Sequence, residues 1–273
     1  MYRTKTGGLI NRKKVLNFSF NGKILKGFEG DTLSSALLGN GIHLVGRSFK
    51  YHRPRGIFTS GSEEPSALVQ LDEKKFTEPN IRATTVKLFD GLVANSQNHF
   101  GSLSWDFMRI NDYLSNFLSA GFYYKTFMWP KAFWEKVYEP IIRNAAGLGK
   151  LSKEPDPSIY DKGFLHCDLL VIGAGPSGLY SALIAARTGA KVIIVDEDFT
   201  LGGSLNGEKL EINGGLCTDW LGTILSELTS FKNVRLMPKT TLYGSFDHGI
   251  YGALEIRNYN SRDTVSYTHL RAH

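Results

Sequence analysis

The sequence has few cysteines and no long apolar runs. Its 273 residues contain two cysteines, Cys167 and Cys217, too few for a disulfide framework or a four-thiolate metal site. No apolar run reaches the ~18 residues of a membrane span and no charged-then-apolar leader opens the chain, so we expect a cytoplasmic protein without a membrane partner. The formal charge of the chain is a mild +6, and the basic residues are spread along the sequence. Both observations argue against a nucleic-acid partner. The histidines are isolated, and we expect no metal site.

The first part of the chain predicts a β-hairpin. Apolar and polar residues alternate over 16–20, as in a half-buried strand. Asn21 and Gly22 follow, and both residues tolerate the positive φ angles of a tight hairpin turn. Residues 23–28 then supply the returning strand.

A short helix is predicted after this hairpin. Asp31 is placed to accept hydrogen bonds from the first-turn amides, and the glycine-asparagine-glycine run at 39–41 ends the helix. The apolar face of this helix consists of Leu33, Ala36 and Leu37. A hairpin followed by a helix is typical of a β-grasp domain, and residues 67–71 and 84–88 are expected to be later strands.

Aromatic side chains and methionines crowd into residues 100–145. Because aromatic side chains mostly serve burial, we expect an irregular helical connector packed between domains rather than a substrate-binding box. The polar, proline-containing stretch 150–163 predicts a linker.

A βαβ unit with a glycine-rich turn is predicted after this linker. Residues 168–172 form a short apolar strand, 179–188 a helix, and 191–195 a second parallel strand. The pattern G-x-G-x-x-G lies between the first strand and the helix and consists of Gly173, Ala174, Gly175, Pro176, Ser177 and Gly178. The motif alone is weak evidence, but this context is typical of a dinucleotide site. A helix at 219–228 and strands at 234–237 and 240–243 are expected to follow.

Each glycine of the motif has a physical task in binding a dinucleotide. Gly173 permits the tight turn, Gly175 lets the backbone approach a pyrophosphate, and Gly178 lets the helix pack closely on the strand. The helix N-terminus offers free amides and a partial positive charge to the phosphates.

Two acidic residues follow the second strand. Asp196 directly follows the strand and is the preferred acceptor for the adenosine ribose hydroxyls, and Glu197 is the alternative. A carboxylate here repels a 2′-phosphate, which favours NAD or FAD over NADP and leaves those two open. A second glycine turn adds Gly203 and Ser204 to the candidate cofactor-binding residues.

Four stretches carry a resemblance to a known family. They are GRSFKYHRPRGIFTSGSEEPSALVQL at 46–71, SAGFYYKTFMWPKAFWEKVYEPIIRNAAGLG at 119–149, HCDLLVIGAGPSGL at 166–179 and TTLYGSFDHGIYGALE at 240–255. From about residue 5 to residue 256 the chain resembles the N-terminal part of the alpha subunits of heterotetrameric sarcosine oxidases.

This resemblance implies an α/β fold with a ferredoxin-like β-grasp domain followed by a dinucleotide-binding domain of the two-dinucleotide flavoprotein type. It implies noncovalently bound NAD in this chain, FAD and the amine site in a beta subunit, and FMN at the alpha–beta interface. Gamma and delta subunits complete the complex, and a C-terminal folate domain uses tetrahydrofolate. The complex oxidises sarcosine with oxygen to glycine, hydrogen peroxide and a one-carbon unit, and no catalytic residue is expected in this chain.

The predicted domains are the β-grasp domain at 1–95, the connector and linker at 96–163, and a partial dinucleotide-binding domain at 164–264. Residues 265–273 resemble a translated sequencing adapter and are expected to be a non-native tail. We expect a truncated fragment, inactive alone, because the folate domain and the later strands of the dinucleotide fold do not follow. No cysteine precedes Cys167, so a thiolate-ligated iron–sulfur cluster is excluded from the first domain.

The basic stretch 46–56 lies after the first helix, where we expect the cluster ligands of a ferredoxin-like domain. Its candidate anion-binding residues are Arg47, Lys50, Arg53 and Arg55. They would bind a pyrophosphate, a flavin phosphate or the acidic residues of a partner subunit, since the arginine fork suits phosphate and carboxylate alike. The alternative is a solvated loop with ion pairs to Glu63 and Glu64.

Two further functions stay open on the sequence alone. One is a subunit of a related proline, opine or hydrogen cyanide-forming dehydrogenase, with FAD at the glycine turn. The other is a scaffold whose dinucleotide site is vestigial. Fold alone does not decide among these functions.

Overall fold

The computed structural model describes residues 2–73, 76–118, 120–122, 127, 129–147, 149, 152–155, 159–257 and 265–272. The chain divides into two compact units, the first formed by 1–5 with 10–155 and the second by 6–9 with 156–273. The predicted boundaries near residues 95 and 163 stay predictions.

The strands and helices are numbered in chain order. The strands of the first unit are β1 Asn11–Phe20, β2 Lys23–Glu29, β3 Gly46–Arg47, β4 Pro54–Arg55, β5 Leu68–Glu73, β6 Phe76–Arg82 and β7 Leu92–Ser96. Those of the second unit are β8 Tyr160–Cys167, β9 Leu169–Ile172, β10 Val192–Val195, β11 Glu211–Ile212, β12 Gly215–Leu216, β13 Val234–Met237, β14 Thr240–Phe246, β15 Ile250–Ile256 and β16 Val265–Ala272. The α-helices are α1 Leu33–Gly39, α2 Ile110–Tyr113, α3 Glu139–Ala146, α4 Pro176–Arg187 and α5 Cys217–Ser230. Short 3₁₀ or π segments are Phe107–Arg109, Trp134–Tyr138, Gly203–Asn206 and Asp247–Gly249.

The first unit is built on a mixed five-stranded sheet in the order β2-β1-β7-β5-β6. The predicted hairpin is confirmed: β1 and β2 are antiparallel, and Asn21 and Gly22 both have positive φ. β1 also pairs in parallel with β7. Phe18 of β1 and Leu33 and Leu37 of α1 are fully buried, so the helix and the sheet share one core. This arrangement agrees with the predicted β-grasp.

The predicted cap of α1 is wrong by one residue. Thr32, not Asp31, is the N-cap, since its hydroxyl accepts a hydrogen bond from the Ser35 amide at 3.0 Å. The Asp31 carboxylate instead accepts from the Ser35 hydroxyl and from both terminal nitrogens of Arg3. Asp31 therefore ties the start of the chain to the helix.

The strand predicted at 84–88 is also wrong. These residues form a turn followed by one isolated bridge between Lys87 and Thr32. The amide of Leu33 donates to the Val86 carbonyl and the amide of Leu88 donates to the Asp31 carbonyl. The segment thus uses its backbone groups at the start of α1 rather than in the sheet.

The expectation that the aromatic segment 100–145 is buried is wrong for most of its described residues. Trp105, Tyr113 and Trp129 are 78–83% exposed, whereas Phe122 is buried. Tyr123, Tyr124 and Met128 lie outside the described residues. The helical character is confirmed by the short helices in this segment. The rings of Phe122, Phe127, Phe133 and Tyr138 form a small cluster, with neighbouring centroids 5.4–6.3 Å apart.

The second unit contains a three-stranded parallel sheet in the order β13-β10-β9. Val192 and Ile194 of β10 belong to the apolar cluster that includes α4 and α5, whereas Ile193 and Val195 belong to a second cluster with Met237. Burial on both faces explains the unbroken apolar run of β10. The predicted α/β class is confirmed.

Two boundaries in the second unit differ from prediction. α4 begins at Pro176 rather than at residue 179, because proline has no amide to lose in the first turn. Residues 160–163, assigned to the linker, belong to β8 of a four-stranded sheet ordered β14-β15-β16-β8. Residues 265–272, expected to be a non-native tail, form β16 of that sheet.

Candidate functional site

The glycine turn connects β9 to α4 in the second unit. Gly173 has a φ of +93°, a conformation that glycine adopts without strain, and its amide donates to the Val195 carbonyl at 2.8 Å. The turn is therefore anchored to the carboxyl end of the neighbouring strand β10.

The other two glycines of the motif differ in what surrounds them. A Cβ on Gly178 would collide with the carbonyl oxygen of Gly173, so only glycine fits there. A Cβ on Gly175 would meet no atom within 4 Å, and the φ of −73° at Gly175 suits any residue. The packing of helix on strand therefore requires glycine at position 178. No contact within the protein requires glycine at position 175.

Asp196, rather than Glu197, lies at the glycine turn. One carboxylate oxygen of Asp196 accepts from the Ala174 amide at 2.6 Å, and the other accepts from the Asp198 amide at 2.8 Å. Asp196 is half-buried and Glu197 is exposed. The carboxylate therefore fixes the shape of the turn beside the position expected for a ribose.

The second glycine turn packs against the first. The Gly202 amide donates to the Ala174 carbonyl at 2.9 Å, and a Cβ on Gly203 would lie 3.2 Å from the Cα of Gly175. Exposed Gly203 and Ser204 begin the 3₁₀ segment that follows. The structure thus brings Gly173–Gly178, Asp196 and Gly203 together.

This arrangement fits a dinucleotide. The first-turn amides of α4 have no partners within the helix and, with the helix dipole, favour negative charge. Gly175 leaves room for the pyrophosphate to approach the backbone, and Asp196 supplies the acceptor for the ribose. A bound flavin or nicotinamide would supply the redox chemistry, while these residues would hold and orient the group.

Two of the four residues of the basic stretch are committed to contacts inside the first unit. The guanidinium of Arg47 is buried and donates to the carbonyl oxygens of Leu103, Ser104 and His52. Arg53 forms an ion pair with Asp112 at 2.7 Å. Their anion-binding role therefore finds no support in this geometry.

Lys50 and Arg55 of the basic stretch form no ion pair with Glu63 or Glu64 among the described contacts. The ammonium of Lys50 lies over the rings of Tyr51 and Phe122, and Arg55 is exposed. The ion pairs expected with Glu63 and Glu64 are not made among the described contacts, because the Glu64 carboxylate binds backbone amides. The basic stretch mainly connects the β-grasp to the aromatic segment.

Comparison with known proteins gives close relatives over almost the whole chain. The chain is 52% identical over 97% of its length to sarcosine oxidase subunit alpha of Rhizobium meliloti (strain 1021), covering 27% of that protein. It is 32% identical over 88% of its length to sarcosine oxidase subunit alpha of Corynebacterium sp. (strain U-96), covering 20% of it. This chain is homologous to sarcosine oxidase alpha subunits. It spans about a quarter of the length of these relatives.

Two family models and one solved structure agree with the fold of this chain. Residues 13–99 match a 2Fe-2S iron-sulfur cluster binding domain, and residues 168–233 match an FAD dependent oxidoreductase. The structure of L-proline dehydrogenase from P. horikoshii aligns with a TM-score of 0.58 and 20% identity, over 96% of this chain and 40% of that one. At this identity the likeness concerns the fold alone.

The first match implies an iron–sulfur cluster that the residues do not fit. Residues 13–99 contain no cysteine. Within the part of the chain that the structure describes, no three histidine, cysteine or acidic side chains gather where they could hold a metal ion. Residues 13–99 therefore lack the thiolate ligands that such clusters require.

The two cysteines have structural surroundings. Both side chains are buried, and neither forms a disulfide among the described residues. Burial raises the pKa of the Cys167 thiol, and the Cys217 thiol donates to the Glu208 carbonyl at 3.2 Å.

No helix among the described residues is long and apolar enough to cross a membrane.

Sequence reasoning missed two buried polar groups in the first unit. The His52 ring is fully buried, with Nδ1 2.6 Å from an Asp106 carboxylate oxygen and Nε2 3.2 Å from the Ala145 carbonyl oxygen. The second group is Glu64. No local pattern identifies the His52 pair, because its partners lie 54 and 93 residues away. Glu64 does have a sequence signal. Residues 59, 64 and 67, directly before β5, have the C-x₄-C-x₂-C spacing of iron–sulfur ligands.

Proposed function

We propose that this chain is the dinucleotide-binding part of the alpha subunit of a heterotetrameric sarcosine oxidase. The 52% identity over 97% of the chain carries this proposal. The glycine turn supports the proposal, because it combines a glycine-rich turn, a helix N-terminus and an acidic residue, Asp196, bound to the Ala174 amide.

In this proposal the chain holds a nucleotide and does not touch the amine. The complex oxidises sarcosine with oxygen to glycine, hydrogen peroxide and a one-carbon unit for tetrahydrofolate. The beta subunit carries FAD and the amine site, FMN lies at its interface with the alpha subunit, and gamma and delta subunits complete the assembly. The Asp196 carboxylate at the glycine turn accepts hydrogen bonds from two backbone amides, so in this proposal it positions the nucleotide and does not act on the amine.

The nucleotide itself has two candidates. NAD is the one expected from the resemblance, and the match of residues 168–233 to an FAD dependent oxidoreductase favours FAD. Release of the noncovalent nucleotide from the purified complex by acid, followed by chromatography, separates the two. About one NAD per alpha subunit supports the first, whereas FAD in excess of the beta subunit's complement supports the second.

The proposed activity is tested with the native complex that contains this chain. Sarcosine, proline and octopine are supplied in parallel, and hydrogen peroxide is measured together with reduction of an artificial acceptor. Peroxide formation with sarcosine alone is expected. Turnover of proline or octopine without sarcosine activity would assign the chain to a related dehydrogenase, and a complex without nucleotide in the alpha subunit would make its site vestigial.

A further inference from the structure

The loop before β5 has the spacing of an iron–sulfur cluster loop. Plant-type ferredoxins hold their cluster with the pattern C-x₄-C-x₂-C and a distant fourth cysteine. In this chain the same spacing directly before the strand gives Thr59, Glu64 and Ala67. The loop falls within the region that matches a 2Fe-2S domain. This assigns the former ligand positions to 59–67 rather than to 46–56, where we expected them.

The Glu64 side chain organises this loop from within. Only 1% of Glu64 is exposed. One carboxylate oxygen accepts from the amides of Phe58 at 2.7 Å and Thr59 at 2.6 Å. The other accepts from the amides of Ser66 at 2.7 Å and Ala67 at 3.0 Å. Two of these four amides belong to positions with the ligand spacing.

The negative charge of this carboxylate is favoured by its surroundings. Burial raises the pKa of Glu64, but the four amide hydrogen bonds outweigh burial and leave its pKa below the ordinary value. Successive backbone amides that surround an anion are also a feature of iron–sulfur sites. The loop therefore offers a carboxylate the same kind of environment that it would offer a cluster.

A downstream residue closes the loop, as the distant fourth cysteine of a cluster site would. The hydroxyl of Thr84 donates to the Gly61 carbonyl at 2.6 Å, and Thr84 is only 2% exposed. The neighbouring Ala83 amide donates to the Ala67 carbonyl at 2.9 Å. Position 84 thus meets the loop that contains Thr59, Glu64 and Ala67.

We propose that the Glu64 carboxylate replaces the iron–sulfur cluster of this domain, as the internal anion around which residues 58–67 fold. The first unit is then an iron-independent module that carries no electrons. Thr59, Glu64, Ala67 and Thr84 mark the four former ligand positions.

The first test replaces Glu64 with glutamine in the full chain. Glutamine has nearly the same shape, but it has no charge, and its NH₂ group faces backbone donors. Hydrogen exchange of the Phe58, Thr59, Ser66 and Ala67 amides is expected to be about 10- to 100-fold faster in Glu64→Gln. The matched control is Glu63→Gln, which alters the exposed neighbouring acid and should leave these rates unchanged. Equal exchange rates in Glu64→Gln and wild type would overturn the role of Glu64.

The second test returns cysteines to the four positions. The full chain with Thr59→Cys, Glu64→Cys, Ala67→Cys and Thr84→Cys is incubated anaerobically with iron and sulfide, and bound iron and visible absorption are measured. About two iron atoms per chain are expected. The control variant has four cysteines in the basic stretch, namely Arg47→Cys, Lys50→Cys, Arg53→Cys and Arg55→Cys, and should take up no cluster. A folded first variant without iron, or equal uptake by the control, would overturn the positional assignment.

Discussion

Two loops of this chain arrange backbone amides around negative charge, and they do so in opposite ways. In the first unit, residues 58–67 direct four amides at the chain's own Glu64 carboxylate. In the second unit, the glycine turn 173–178 uses one amide, that of Ala174, for Asp196. The first-turn amides of α4, which begins at Pro176, have no partners within the helix. One loop is therefore closed by its own side chain, and the other, in the proposed function, accepts an external anion.

The difference comes from the residues available at each loop. Glu64 is long enough to reach both ends of its loop, and it is almost fully buried there. The glycine turn lacks a side chain where Gly175 leaves open space. An internal anion stabilises the loop around it, whereas a loop without side chains leaves its backbone amides accessible to a ligand.

The largest effect is expected from Gly178→Ala. The added methyl group would collide with the Gly173 carbonyl oxygen, a backbone atom that cannot move without breaking the turn. We expect a loss of about 3 kcal/mol in the stability of the second unit, together with loss of bound nucleotide. Thermal unfolding and nucleotide content of the purified chain measure both.

The matched control for this variant is Gly222→Ala in α5. A methyl group on Gly222 meets no atom within 4 Å, so it should leave stability unchanged or raise it by about 0.5–1 kcal/mol through helix propensity. If both variants unfold at the wild-type temperature, the tight packing of α4 on β9 is not required for this fold.

The next effect is the acid sensitivity of the first loop. Because the folded-state pKa of Glu64 lies below its usual value of 4.5, its contribution to stability is present above pH 4.5. This contribution is lost as the pH falls through the folded-state pKa. Glu64→Gln should cost about 1–3 kcal/mol at neutral pH, and this cost should shrink in acid. Urea unfolding across the acid range measures the difference, which Glu63→Gln should not show.

The predictions that succeeded rest on short-range signals. The Asn21-Gly22 turn needs two adjacent residues with positive φ, and the glycine turn needs a strand, three glycines and a helix within one βαβ unit. Asp196 follows its strand directly, so its place at the turn could be expected from sequence. In each case a recognisable local pattern, either two adjacent turn residues or one βαβ unit, decides the structure.

The predictions that failed depend on distant partners. Thr84 looks like part of a strand, but its hydroxyl bonds to Gly61, 23 residues away. Arg47 looks like an anion-binding residue, but its guanidinium meets carbonyl groups more than 50 residues away. The exposure of Trp105 and Tyr113 could not be predicted, because composition does not show which surface an aromatic residue covers. Such contacts can be identified only in the folded chain, not from the sequence.

A third prediction separates ligand binding from folding at the glycine turn. Gly175→Ala places a methyl group where the protein has no atom within 4 Å and where the backbone suits alanine. We expect nucleotide content to fall about tenfold or more, because the methyl group blocks the pyrophosphate. The unfolding temperature of the nucleotide-free chain should stay the same or rise slightly. Full nucleotide content in Gly175→Ala would show that the nucleotide binds elsewhere.

The smallest effect is expected at the surface ion pair between α4 and α5. Arg187 binds Glu227 through two hydrogen bonds of 2.7 and 2.9 Å, which lower the pKa of Glu227 and raise that of Arg187. Both side chains contact solvent, so water and salt weaken their attraction. Glu227→Gln should change the unfolding temperature by little more than the measurement error, and high salt should abolish even that change. Glu64→Gln should retain its effect in salt, because its carboxylate is bound by buried amides. A salt-resistant loss in Glu227→Gln as large as that in Glu64→Gln would show that the charge itself, rather than enclosure by backbone amides, stabilises these carboxylates.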